Sequence, residues 1–239
     1  MGSSHCEPLL YNTAIEWKRD KMGEWDYINK KKGVDSVLNA RVKECAPFEN
    51  VYTLALRGLH DRAMNASNDM GDRKDMLQEA LMAQRQMLID AIGKPGEESP
   101  QAFTPYKEVL DVYDEGLELP DDVTIIWPDD NYGYMKRLSS PKEQKRSGRS
   151  GVYYHSSYLG KPHDHLWMNT ISPTLMYEEL RKAYDATADR IWLLNAGDIK
   201  SCEFAVDYFL TMAFDIDSFN FERAANYRTD WLRGMLGDQ

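Results

Sequence analysis

Two adjacent carboxylates, an amide and a phenol (Asp129, Asp130, Asn131 and Tyr132) follow directly on an uncharged run in VTIIWPDDNYG, residues 123–133. Carboxylates can exchange protons with a substrate, and amides and phenols can hydrogen-bond its hydroxyls. Val123, Thr124, Ile125, Ile126 and Trp127 have the β-branched, apolar character of a strand buried on both faces. Pro128 has no N–H to give to a ladder, so the strand is predicted to stop there. Residues just beyond the carboxyl ends of strands are where open α/β sheets and (β/α)8 barrels place their chemistry. An Asp-Asp-Asn turn that merely leaves the strand would carry the same letters.

The other strand ends widen the set to His5 and Glu7, Arg57 and Asp61, His155, and Asn195 with Asp198 and Lys200. No convincing nucleophile is among them. Ser156 and Ser157 follow His155 without a G-x-S-x-G elbow, and neighbours on a strand point to opposite faces, which also weakens His5 with Cys6 as a thiol pair. His163, Asp164 and His165 form the densest group of metal-ligand types, but no H-E-x-x-H helix or comparable spacing surrounds them, so no metal or other cofactor is expected. Paired carboxylates fit better. Hydrolysis of a glycosidic bond needs two of them, with amides and aromatic rings binding the sugar. Tyr132, Tyr153, Tyr154, Tyr158 and Trp167 could supply such a lining, or could equally be core aromatics.

These side chains must be positioned by alternating strands and helices, the pattern of βα units in a mainly parallel sheet. Strands are predicted over residues 51–56, 123–127, 151–157 and 190–194, with a short extended piece over 101–105. Helices are predicted over 73–92, 106–113 and 173–186, and from Cys202 onward. In the helix over 73–92, Leu77, Ala80, Leu81, Met87, Leu88 and Ala91 keep an i, i+3, i+4 stripe, so its methionines read as core. In that over 173–186 the buried face is Leu175, Met176, Leu180, Ala183 and Tyr184. Residues 93–100, GKPGEESP, read as a loop, and residues 135–151, with the cationic run KEQKRSGRSG, as a solvated mobile loop. Four strands are too few for a complete eightfold barrel, and GSSHCEP has no strand ahead of it, so a piece of a larger protein is expected.

At 239 residues and 42% apolar content the chain can form one sizeable core or part of a larger one. A net charge of −10 argues against nucleic acid as a partner. No apolar run approaches the roughly 20 residues needed to span a membrane. Three widely spaced cysteines match neither a zinc pattern nor a simple disulfide framework.

In order along the chain, GSSHCEPLLYN, FENVYTLALRG, WPDDNYGYMKRL, SGVYYHSSYLGKPHDHLW, SPTLMYEEL and LNAGDIKSCEF resemble glycoside hydrolase family 115, the α-glucuronidases of xylan. The resemblance runs from about residue 2 to at least residue 214. It implies a (β/α)8 TIM-barrel catalytic domain, present here as a partial barrel over residues 1–216. Residues 217–239 would be the last barrel helix or the start of a C-terminal helical domain. It also implies inverting hydrolysis of α-1,2-linked glucuronic acid or its 4-O-methyl ether, with glucuronoxylan or aldouronic acid oligosaccharides as partners and action outside the cytoplasm.

On that reading the acid and base are sought among Glu7, Asp129, Asp130 and Asp198, with Asp130 first. Asp129 and Asp130 are adjacent, so one of them is expected to face the pocket. His5, Asn131, Tyr132, His155 and Asn195 would contact the sugar. Arg57 and Lys200 are candidates for its carboxylate, although each could instead pair with a nearby acid. A half barrel would expose strand edges and apolar surface, so self-association to a homo-oligomer is also expected. A non-catalytic carbohydrate-binding or structural fragment, and a metal-dependent hydrolase using residues 163–165, are the competing readings.

Overall fold

A computed structural model describes residues 2–160 and 169–237. His163, Asp164, His165 and Trp167 therefore lie outside the described residues. The chain divides into two compact units, Met1–Ile125 and Ile126–Gln239. Its five main strands follow chain order, and the ladders joining the first to the second, the second to the third and the fourth to the fifth are parallel. No helix among the described residues is long and apolar enough to cross a membrane.

In the first unit, helix α1 (Tyr27–Cys45) begins where the Asp26 carboxylate accepts the backbone N–H groups of Ile28 and Asn29 at 2.9 and 3.1 Å. Its Val34, Leu38 and Val42 recur every fourth residue and are fully buried with Leu77, Leu81 and Leu88 of α2 (Met70–Ile92). Met76, Met82 and Met87 are partly buried against the same core, as their stripe predicts. Strand β1 (Tyr52–Thr53) pairs with β2 (Gln101–Phe103), and β2 with the first half of β3 (Thr124–Pro128). Helix α3 (Glu108–Asp114) lies between β2 and β3 in the chain. The N-terminal segment does have an anchor: Gly2 bridges Val51, and the Thr53 hydroxyl donates to Ser3 O at 2.9 Å.

The predicted strand over 51–56 is reduced to two ladder residues for a local reason. Beyond Leu54, the side-chain amide of Gln84 on α2 takes over the pairing. Ala55 N donates to Gln84 Oε1 at 2.9 Å, and Gln84 Nε2 donates to Ala55 O at 2.7 Å. Gln84 is buried and both partners are satisfied, so this one side chain replaces a neighbouring peptide.

In the second unit, the end of β3 is followed by β4 (Ser150–His155), α4 (Pro173–Asp185), β5 (Trp192–Asn195), α5 (Glu203–Phe214) and α6 (Phe221–Leu236). All five β3 residues are buried, which fits their uncharged composition. β4 and β5 pair from Val152 with Trp192 to His155 with Asn195. Met176, Leu180 and Ala183 of α4 pack with Val152, Tyr154, Tyr208, Phe209 and Met212, while Leu175 and Tyr184 are only partly buried. Ala224 and Tyr227 of α6 join this cluster.

Residues 135–151 differ from the solvated loop expected of them. The Arg137 guanidinium lies 4.7 Å over the Trp127 ring and pairs with Glu143 at 2.9 Å. Trp127 Nε1 donates to Ser139 Oγ at 2.8 Å, and Ser139 Oγ to Ser150 Oγ at 2.9 Å. Arg149 pairs with Asp189. Arg149 of the positive run is thus met by an acid from beyond the segment, and Arg137 ahead of the run by Glu143 within it, which local composition does not reveal.

Candidate active site

The turn after β3 is built around Asp129, which is 2% exposed. Its Oδ1 accepts from Asn131 N at 3.1 Å and from His155 Nδ1 at 2.5 Å. Its Oδ2 accepts from Gly133 N at 3.2 Å and from His155 N at 3.1 Å. Four donors fill the four lone-pair sites of one carboxylate. The backbone can fold back in this way because Asn131 and Gly133 both take positive φ, 74° and 99°. A Cβ on Gly133 would meet the Tyr154 hydroxyl at 2.9 Å, and that hydroxyl donates to Gly133 O at 2.9 Å. Burial first, and then the charge of Asp129, push the Tyr154 hydroxyl well above the usual phenol range, so it remains a donor.

Asp130 is half-buried and differently used. Its Oδ1 accepts from Tyr132 N at 2.9 Å and Tyr134 N at 3.1 Å, and its own N–H donates to Tyr134 O at 2.7 Å. Among the described residues no hydrogen bond engages its Oδ2. His155 is 1% exposed, with its ring 4.5 Å from that of Tyr153 and edge-on to that of Tyr158 at 5.8 Å. Tyr132 meets Tyr158 at 6.0 Å, and Asn195 Nδ2 donates to Tyr153 Oη at 2.7 Å. Six candidates, Asp129, Asp130, Asn131, Tyr132, His155 and Asn195, therefore share one network. Ser156 Oγ donates to Asn195 O at 3.0 Å, which ties it to backbone. Asp198 and Lys200 sit in the exposed turn after β5. Asp198 Oδ1 accepts Lys200 N, and Lys200 Nζ pairs with Glu203 at 2.7 Å with its side chain 89% exposed.

The first unit holds a second constellation around Arg57. Its Nε and Nη2 donate to the two oxygens of Glu108 at 3.3 and 2.9 Å, and its Nη1 to Asp61 Oδ1. Trp25 Nε1 caps the Arg57 carbonyl at 2.8 Å. His5 Nε2 lies 2.9 Å from Asp61 Oδ1, with its ring 4.5 Å from Tyr106. Arg57 is 4% exposed and already engages two carboxylates. His60 and Asp61 both adopt left-handed backbone, costly for non-glycine residues. Glu7 is half-buried, and its Oε2 is reached by Ser4 N at 3.4 Å.

Glu108 and Tyr106 belong to this cluster and were not among the predicted site residues. Their signal was the short extended piece over 101–105, whose exit is another strand end. His5, Cys6 and Asp61 bring three ligand-type atoms within 4.8 Å of one another. They do not fit a divalent ion, because Arg57 already places a positive charge on Asp61, and burial raises the Cys6 thiol pKa and so favours its neutral form.

No match was found among curated proteins. Among solved structures, the chain is similar to a family GH115 4-O-methyl-α-glucuronidase, BtGH115A, with specificity for decorated arabinogalactans. The identity is 43% and the TM-score 0.91, covering 98% of this chain and 31% of that one. The chain thus spans about a third of the length of that structure, and its fold is a partial (β/α) barrel. The profile of glycosyl hydrolase family 115 matches residues 1–239, and the chain belongs to that family.

Proposed function

We propose that the protein provides part of the catalytic domain of an inverting α-glucuronidase that releases α-1,2-linked glucuronic acid, or its 4-O-methyl ether, from glucuronoxylan or aldouronic acid oligosaccharides. The observation that carries the chemistry is the contrast within the Asp129–Asp130 pair. One carboxylate is filled by four donors, whereas the other is held by two donors on Oδ1 alone. A carboxylate anchored through one oxygen is fixed in orientation and can use the other on a water molecule, which is the work of the general base. Glu7 and Asp198 are the remaining candidates for the acid. Asn131, Tyr132, His155 and Asn195, with His5, are the candidate sugar contacts. Arg57 and Lys200 stay candidates for the uronate carboxylate only if they leave Glu108, Asp61 and Glu203.

A second substrate reading is favoured by one finding: the 43% identical structure is of an enzyme specific for decorated arabinogalactans. The test is release of 4-O-methylglucuronic acid from aldouronic oligosaccharides and from arabinogalactan side by side, with the product anomer followed by NMR. Appearance of the β-anomer first, in the presence of chelator, supports inversion without a metal. Retention of configuration would sink the mechanism, and release from arabinogalactan alone would move the substrate. Sugar binding without turnover would favour the non-catalytic reading.

A further inference from the structure

We infer that Asp129 is a positioning residue rather than an acid or base: its carboxylate sets the tautomer of the His155 ring and holds the turn that presents Asp130. The kinetic part of this inference rests on the function proposed above, and the spectroscopic part does not. An acid or base must give up or take a proton at an oxygen that substrate or water can reach. Asp129 is 2% exposed, and each of its oxygens already accepts two hydrogen bonds, at 2.5 to 3.2 Å.

An ionised carboxylate only accepts, so the His155 nitrogen facing it at 2.5 Å carries a hydrogen, and the neutral ring is the Nδ1–H form with Nε2 as its acceptor. The backbone N–H of the same histidine binds the other oxygen, so ring and main chain are gripped together. The remaining two donors, Asn131 N and Gly133 N, flank Tyr132 in the turn whose first residue is Asp130. Asp129 thereby connects the exit of β3 to the end of β4, and its neighbour's Oδ1 completes the same turn through Tyr132 N and Tyr134 N. An asparagine at 129 keeps the shape but offers one acceptor oxygen in place of two, so at least one of these contacts is lost.

The test uses protein labelled with 15N-histidine. The chain has five histidines, and the His155 signals are assigned by their loss in His155→Gln. The wild type is expected to show the Nδ1–H tautomer at His155, and Asp129→Asn a mixture of tautomers. On a glucuronide substrate Asp129→Asn is expected to lower kcat about a hundredfold, the scale of a misplaced catalytic group, while keeping both limbs of the pH–rate profile. Asp130→Asn should lose one limb. An Nε2–H tautomer in the wild type overturns the inference without any variant, so it survives a failure of Asp129→Asn to fold. Loss of a kinetic limb in Asp129→Asn also overturns it. An inactive wild type with the expected tautomer would count against activity of this chain by itself and leave the tautomer assignment standing.

Discussion

The two polar clusters are built on opposite central charges. In the first unit a buried cation, Arg57, is surrounded by Glu108 and Asp61. In the second a buried anion, Asp129, is surrounded by four N–H groups. The Arg57 cluster balances charge with charge, between side chains far apart in sequence. The Asp129 cluster balances charge with dipoles, three of them from the backbone, and adds a single imidazole. Burying a charge is costly unless it is paired or fully hydrogen-bonded, and each cluster meets one of these conditions. The most buried ionic group at each strand end is therefore the most committed to holding structure. Next to Asp129 stands the less satisfied carboxylate, Asp130, whose two N–H donors both bind Oδ1.

The sharpest way to break this contrast is Asp130→Asn, for which a loss of about 10²- to 10⁴-fold in kcat is expected, the usual contribution of a positioned acid or base. Steady-state release of glucuronic acid measures it, and an unchanged kcat would remove Asp130 from the chemistry. Arg57→Ala should act on stability instead, at about 3 kcal/mol, because it leaves Glu108 and Asp61 facing each other without their cation. Urea unfolding checks this. Arg57→Lys should recover only part of the loss, since an ammonium cannot reproduce the forked contact to Glu108.

A smaller effect is expected at Asp26, a third carboxylate held by N–H donors. Burial alone would raise its pKa, but hydrogen bonds from the Asn29 side chain and backbone, Ile28 and Asn65 outweigh this and hold it below the usual carboxylate range. Its stabilisation is therefore fully present above the unfolded carboxyl pKa of about 3.9 and is lost as pH falls through the lower folded value. Asp26→Ala should cost about 1 kcal/mol near pH 7, the usual worth of an N-cap. Unfolding curves of wild type and variant should converge as pH falls through the lowered folded value, and a gap that persists in acid would contradict a charged cap. The smallest effect belongs to Lys200→Ala. With its side chain 89% exposed, its pairing with Glu203 should leave the unfolding midpoint unchanged.

What could be read from the chain follows from how local each feature is. The exit of β3 was legible because Pro128 and the Asp-Asp-Asn run mark it within a few residues. Which of the two aspartates would be consumed by structure was not, since two of the four donors to Asp129 depend on positive φ at Asn131 and Gly133 and the other two on the approach of His155 from 26 residues away. Pairing of Arg57 with an acid was foreseeable, but its partner Glu108 is 51 residues on. Helix α1 escaped notice because Val34, Leu38 and Val42 form a narrow stripe amid lysines and polar residues, with Gly33 inside it. The cationic run after Met135 misled for the complementary reason, since part of its neutralising charge comes from Asp189, some 40 residues away.

The Gln84 contact to Ala55 constrains how the family can vary in length. A residue inserted into α2 ahead of Gln84 turns the rest of the helix by about 100°, which would swing the amide away and strand both polar groups of a buried peptide. At about 1–3 kcal/mol for each orphaned group, such an insertion is tolerable only if paired with a deletion before the same point. Length changes should instead collect outside the stretch of α2 and β1 whose register Gln84 sets. One glutamine thus acts as a gauge block, setting the rotational phase of a 23-residue helix against a strand only two residues long.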